Sequence, residues 1–195
     1  MAANLSGANV RFDGVSTDSR AIGAGEIFFA LKGERFDGHE FVAGAFRRGA
    51  TAAVVSADRA AALEGRAGGS LLVVRDPLVA LAALATHWRR GFTLPVVAIV
   101  GSNGKTTVKE MIAAILRAEF GPERVLATRG NLNNQIGLPL TVLGLRATHQ
   151  AAAIEIGMNH PGETALLAAV ARPTISVINN AQREHQEFMG SVADV

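Results

Sequence analysis

Short β-branched apolar runs alternate along this chain with stretches whose apolar residues recur at helical spacing, which predicts an α/β architecture. Residues 10–12 and 27–30 read as strands, with turns at Asp13-Gly14 and at 23–25. Phe41, Val42, Ala45 and Phe46 share one helical face, which Gly49 ends. A strand at 52–55, a helix at 57–64, a glycine loop at 65–69 and a strand at 71–74 follow. Asp76-Pro77 opens a helix on which Leu78, Leu81, Ala82, Ala85 and Trp88 line one face, with Trp88 expected in the core.

The rhythm breaks at 89–95. Residues 96–100 form a run of apolar, mostly β-branched residues, expected to be a buried strand. It stops at Gly101-Ser102-Asn103-Gly104 and passes directly into a helix whose buried face should carry Val108, Met111, Ile112, Ile115 and Leu116. Further strands are expected at 125–128, 151–157 and 175–178, with helices running through Leu143 and opening at 160–163. The break predicts a domain boundary, giving domains 1–92 and 93–195. The first is small but long enough to fold alone.

Composition narrows the function classes. The 195 residues carry a net charge of +2 and no cysteine, so no disulfide framework or thiolate metal site is available. No apolar run approaches the ~20 residues needed to span a membrane, and the first residues lack a signal peptide's basic-then-apolar order. A cytoplasmic chain without membrane insertion is expected. No basic stripe interleaved with aromatics appears, which argues against a nucleic-acid partner.

The chemistry concentrates where strand meets helix. Strand, glycine turn, then Lys105-Thr106-Thr107 at a helix start is the layout of a phosphate-binding loop. Backbone N–H groups of residues 101–107 would close around phosphate oxygens, and the helix start adds partial positive charge. Lys105 would bring a full charge to the terminal phosphates, and the Thr106 hydroxyl would reach a magnesium ion. The loop is the short G-x-x-G-K-T-T form, with Ile99 where the longer pattern has glycine. Lysine occurs at three positions, two of them here, and Lys109 is expected to be an exposed helix residue.

Other polar positions allow two readings each. Ser19 and Arg20, in the cluster 16–20, could bind an anion or sugar hydroxyls, but composition alone favours a solvated loop. His39, in the polar loop 32–39, reads as a surface residue. The asparagines at 131, 133 and 134 suit either a polar ligand or left-handed turns. Glu155 sits inside an apolar run near a strand's carboxyl end, where ligands of open parallel sheets bind. It reads as a magnesium ligand, or as a solvent-facing residue on an edge strand. His185 follows the last strand and is either a metal or phosphate ligand or a structural residue.

Five pieces in order resemble the Mur ligase family. They are Thr17-Asp18-Ser19-Arg20, GEIFFALKG at 25–33, GSNGKTT at 101–107, residues 130–139, and Glu155-Ile156-Gly157 with 159–163. Asn179-Asn180 with His185 resembles the family's last shared stretch in this region. The short loop is then expected, because the family uses it. GNLNNQIG points to the branch that adds D-alanyl-D-alanine to UDP-N-acetylmuramoyl-tripeptide.

The resemblance implies a small N-terminal α/β UDP-substrate domain, followed by an ATP-binding central domain with a mostly parallel sheet, incomplete at its C-terminus. It implies an ATP-dependent acid–amino-acid ligase of peptidoglycan precursor synthesis, working through an acyl phosphate that the D-alanyl-D-alanine amine displaces. Residues 101–107 (Gly101, Ser102, Asn103, Gly104, Lys105, Thr106 and Thr107) would hold ATP. Thr106 and Glu155 would hold one Mg2+ and His185 a second. Ser19 and Arg20 would lie at the uridine end, and Asn134 would face the muramoyl-peptide. A chain without the family's C-terminal domain should bind the UDP-substrate and not turn over. A folylpolyglutamate-synthase-like ligase and a non-catalytic nucleotide-binding module are the competing readings; the DSR and GEIFFALKG pieces argue against the former.

Overall fold

The computed structural model describes residues 4–6 and 11–182. The expected ligand His185 lies outside them, as does Val10. The chain divides into two compact units, residues 1–81 and 82–195.

In the first unit, β1 (Asn4–Ser6), β2 (Gly14–Ser16), β3 (Glu26–Phe29), α1 (Val42–Arg47), β4 (Ala52–Ser56), α2 (Ala57–Leu63) and β5 (Ser70–Val74) succeed one another. The sheet order is β1-β5-β4-β3-β2, parallel except for β1, which runs antiparallel to β5. Phe28, Ala30, Ala53, Val55 and Leu71 point to one face of the sheet and bury against Val42 and Ala45 of α1. Each large apolar side chain removed from water in this way contributes about 1.5–3 kcal/mol. The strand expected at 10–12 is not formed at Arg11 or Phe12. Pairing begins instead at Gly14, in register with Glu26. Two partners decide this displacement: Asp13 N–H is taken by the Gly25 carbonyl at 2.9 Å, and only the following residues lie alongside β3.

α3 (Pro77–Arg90) crosses the division between the units. The division therefore falls earlier than the expected boundary at 92 and 93. Its physical basis is that the second half of the helix packs on the second core through Ala85, with Ala82 alongside. Asp76 Oδ1 accepts from Leu78 N–H and caps the helix start. Arg89 is buried and donates to the carbonyls of Phe92, Ala171 and Arg172, which fixes the chain as it leaves the helix. Trp88 is not a core residue. It is 41% exposed, donates Nε1–H to Leu145 O and meets Phe92 edge to face.

The second unit continues with β6 (Val96–Val100), α4 (Lys105–Phe120), β7 (Val125–Ala127), α5 (Gly137–Leu143), β8 (Ala151–Glu155), α6 (Glu163–Ala171) and β9 (Ile175–Ile178). Its sheet, order β7-β8-β6-β9, is parallel throughout. The central strands β6 and β8 are covered on both faces and so read as continuous apolar runs. Val96, Ala98, Ala152 and Ile154 face α5 and α6, while Val97, Ile99 and Ala153 face α4. Side chains alternate across a strand, so Glu155 shares the face of Ala153 and looks toward α4.

α4 turns differently from expectation. Val108, Ile112, Ala113 and Leu116 pack on the sheet, whereas Met111 and Ile115 are 62% and 68% exposed. At ~100° per residue, 111 and 115 fall opposite the stripe 109–113–116. The position that takes the centre of the buried face is Lys109, fully buried where an exposed residue was expected.

Candidate functional site

The glycine loop leaves β6 at its carboxyl end and enters α4 through Gly104, whose φ of 75° is left-handed and suits glycine. The first N–H groups of α4 have no partners within the helix. The loop is braced from the segment after β9. Ser102 N–H donates to Asn180 O, Asn103 N–H donates to Asn180 Oδ1, and Asn179 Nδ2–H donates to Asn103 O. Ser102 Oγ donates to Gln182 O. Lys105 arches over the loop, and among its contacts its ammonium donates to Gly101 O at 2.6 Å and Ser102 O at 3.0 Å.

Thr106, in the first turn of α4, donates its hydroxyl to Glu155 Oε2 at 2.9 Å. Glu155 is only 2% exposed, on a strand flanked by two others. The alternative of a solvent-facing acid on an edge strand is therefore excluded. Its other oxygen accepts from Asn133 Nδ2 at 2.7 Å, and its N–H donates to Thr128 Oγ1 at 3.0 Å. A buried carboxylate beside a hydroxyl at the head of a phosphate-type loop is a hard oxygen donor pair, the chemistry that magnesium takes. Among the described residues no cluster of three or more His, Asp or Glu side chains forms, so a cation here would complete its shell from water and phosphate.

The asparagine loop splits its roles. Asn134, expected to face a ligand, accepts the N–H groups of Ile136 and Gly137 on Oδ1 and starts α5. Asn133 is the one that reaches Glu155. Two adjacent asparagines carry no local signal that tells them apart; the contact of the 132–133 backbone with Gly137 and Gly157 does. Thr107 is exposed at the helix start.

In the first unit, Thr17, Asp18, Ser19 and Arg20 form one side of an open cavity of about 490 Å³, and Phe36 and Phe41 line it as well. Ser19 and Arg20 thus belong to a concave surface rather than a plain solvated loop. Arg20 grips Asp18 with two hydrogen bonds, Nε to Oδ1 at 2.9 Å and Nη2 to Oδ2 at 2.8 Å. These bonds, with the Arg20 N–H, hold the Asp18 carboxyl at about 2, below its ordinary 3.8. A depressed carboxyl contributes stability that is whole above the ordinary value and lost as pH falls through the lowered one. The expected result of a carbon-detected NMR titration is an Asp18 midpoint near 2. The Arg20→Ala variant should return it toward 3.8, and no change on substitution would contradict the pairing.

His39 is buried, not at the surface. Nδ1 lies 2.6 Å from Asp37 Oδ1, and Nε2 accepts from Ser56 N–H at 3.0 Å with Ser56 Oγ at 3.1 Å. Asp, His and Ser meet in the order of a hydrolytic triad, but the Nε2 lone pair is taken by a backbone N–H. The imidazole works as a clamp that fixes the turn Gly38–Phe41 to the end of β4.

Residues 11–89 match the Mur ligase family, catalytic domain, and residues 99–195 match the Mur ligase middle domain. The chain is 44% identical over 183 residues to the UDP-N-acetylmuramoyl-tripeptide--D-alanyl-D-alanine ligase of Synechocystis sp., an alignment covering 94% of this chain and 39% of that protein. Its structure resembles MurF from Acinetobacter baumannii with a TM-score of 0.82 and 38% identity, over 92% of this chain and 38% of the other. It also resembles the MurF ligase of Thermotoga maritima in complex with ADP, with a TM-score of 0.77 and 32% identity, over 93% and 40% of the two chains. The chain spans about two fifths of the length of the curated relatives it matches.

Proposed function

The chain belongs to the Mur ligase family, and from that premise we propose that it is the substrate- and nucleotide-binding part of an ATP-dependent ligase that joins D-alanyl-D-alanine to UDP-N-acetylmuramoyl-tripeptide. The observation that carries this reading is the Thr106 hydroxyl set 2.9 Å from a buried Glu155 at the head of the glycine loop. Residues 101–107 are proposed to hold the phosphates of ATP. Their N–H groups and the α4 N-terminus would stabilise negative charge, and Lys105 would place its ammonium against the transferring group. Thr106 and Glu155 would hold Mg2+, which when bound neutralises phosphate oxygens. Glu155 is held for this by Asn133 and Thr128 rather than left to find its own position.

Residues 1–92 are proposed as the UDP-substrate domain and 93–195 as the ATP-binding domain. The cavity walled by Ser19, Arg20, Phe36 and Phe41 suits the uridine end: aromatic faces for a base and a guanidinium with hydroxyls for sugar or diphosphate. Asn134 keeps its proposed place on the side of the muramoyl-peptide, its Oδ1 fixed by the Ile136 and Gly137 N–H groups, while the Asn133 amide is committed to Glu155. His185 keeps its proposed role at a second cation. A cytoplasmic location is proposed along with this function. Among the described residues no helix is long and apolar enough to cross a membrane.

Calorimetric titration of the 195-residue chain tests the reading. ATP is expected to bind with an affinity that Mg2+ raises, and UDP-N-acetylmuramoyl-tripeptide to bind independently of it. Absence of any magnesium-dependent ATP binding would remove the nucleotide site. A folate bound in preference to the UDP-substrate would shift the chain to the folylpolyglutamate-type reading.

A further inference from the structure

We propose that Lys109 is a positioning residue for the Thr106–Glu155 cation grip, an inference that rests on the nucleotide-ligase reading above. Lys109 is fully buried on α4, with Thr106 one turn before it. A methionine or leucine would fill the same space without carrying a charge out of water, which is unfavourable unless the charge is well used. The use is visible in its partners. The ammonium donates to the Thr128 carbonyl at 2.9 Å and pairs with the Glu110 carboxylate on its own helix.

The Thr128 contact closes a ring. Thr106 Oγ1 donates to Glu155 Oε2 at 2.9 Å, Glu155 N–H donates to Thr128 Oγ1 at 3.0 Å, and Thr128 O accepts from Lys109 at 2.9 Å. Lys109 and Thr106 then join through the two intervening residues of helix, Thr107 and Val108. Thr128 and Glu155 are buried with exposures of 1% and 2%, and Lys109 is buried with them, so the bonds that join these three lie in a poorly solvated setting where they are strong and directional, while Thr106 stands exposed at the mouth. Thr128 stands just past the end of the three-residue strand β7, with its N–H on Ala153 O. Lys109 is the side chain that ties this short strand end to the helix bearing Thr106. Among the described residues its hydrogen bonds go to Thr128 O and Glu110, not to the glycine loop or to Glu155. Its work is to keep Thr106 and Glu155 at the spacing a divalent ion needs, as outer-shell partners do in metal sites.

The test is calorimetric titration of ADP into the 195-residue chain with and without Mg2+, for wild type, Lys109→Met, Lys109→Arg and Thr128→Val. Melting curves recorded without metal confirm that each variant is folded. Lys109→Met is expected to leave metal-free ADP affinity unchanged while reducing the gain from Mg2+ by about tenfold. Thr128→Val should act in the same direction, because it removes the acceptor of the Glu155 N–H. Lys109→Arg, which keeps charge and donors, should recover most of the gain. An unchanged magnesium gain in Lys109→Met overturns the inference. So does an equal loss with and without the metal, or unfolding of both Lys109→Met and Thr128→Val, since either makes the lysine a packing anchor. A wild-type chain that binds no ADP would overturn the nucleotide reading itself, and this inference with it.

Discussion

Lys105→Met is expected to lower the affinity of the chain for ATP by about a hundredfold, the upper end of the ~3 kcal/mol that a hydrogen bond to a charged group contributes. Two effects act together. The ammonium is lost from the phosphate side, and the Gly101 and Ser102 carbonyls lose the donor that draws the loop into its curve. AMP separates the site's specificity from general damage, because it lacks the outer phosphates. Its binding should change little. Comparable losses for AMP and ATP in parallel titrations would mean that Lys105 shapes the unit at large and does not address the polyphosphate.

Gly137→Ala is expected to destabilise the second unit by about 3 kcal/mol, as overpacking against an unyielding neighbour does. A Cβ at Gly137 would stand 2.4 Å from the Leu132 Cα and 2.6 Å from its carbonyl carbon. Backbone cannot swing aside as a long side chain can. The loop that would have to move carries Asn133, whose carbonyl accepts from Gly157 N–H at 2.7 Å and whose amide holds Glu155. Stability and the magnesium gain should therefore fall together. Trp88 is the single tryptophan, and it packs on Leu145 and Phe92 within this unit, so its fluorescence reports the urea transition. A lower midpoint with an unchanged slope is the expected pattern. An unshifted midpoint would show that the loop adapts freely.

These expectations turn on details of unequal visibility in the sequence. The strand–loop–helix unit at 96–120 was legible almost to the residue, because β-branched runs, glycines and the helical period act over a few neighbours. Glu155 stood out for a related reason, as one acid inside an apolar run. Its standing as a buried residue gripped by Thr106 was open between two readings, since the position of its strand in the sheet is not a local property.

The failures share a cause. The apolar residues of α4 span too wide an arc to fit one face, and the narrow strip offered by Val97, Ile99 and Ala153 chose among them. That choice exposed Met111 and Ile115 and sank Lys109. His39 looked superficial in a polar loop, but the N–H that its Nε2 accepts comes from Ser56, seventeen residues later.

The sequence by itself determined the succession of strands and helices, the phosphate-type loop with its lysine and threonine, and the kinship those segments carry. Periodicity, turn chemistry and a short motif need only adjacent residues to be expressed. The tertiary structure alone decided which asparagine reaches the carboxylate, which lysine is buried, and how Thr106, Glu155, Thr128 and Lys109 close on one another. Those facts depend on strands paired across tens of residues, where burial and hydrogen-bond partners are set by what packs opposite.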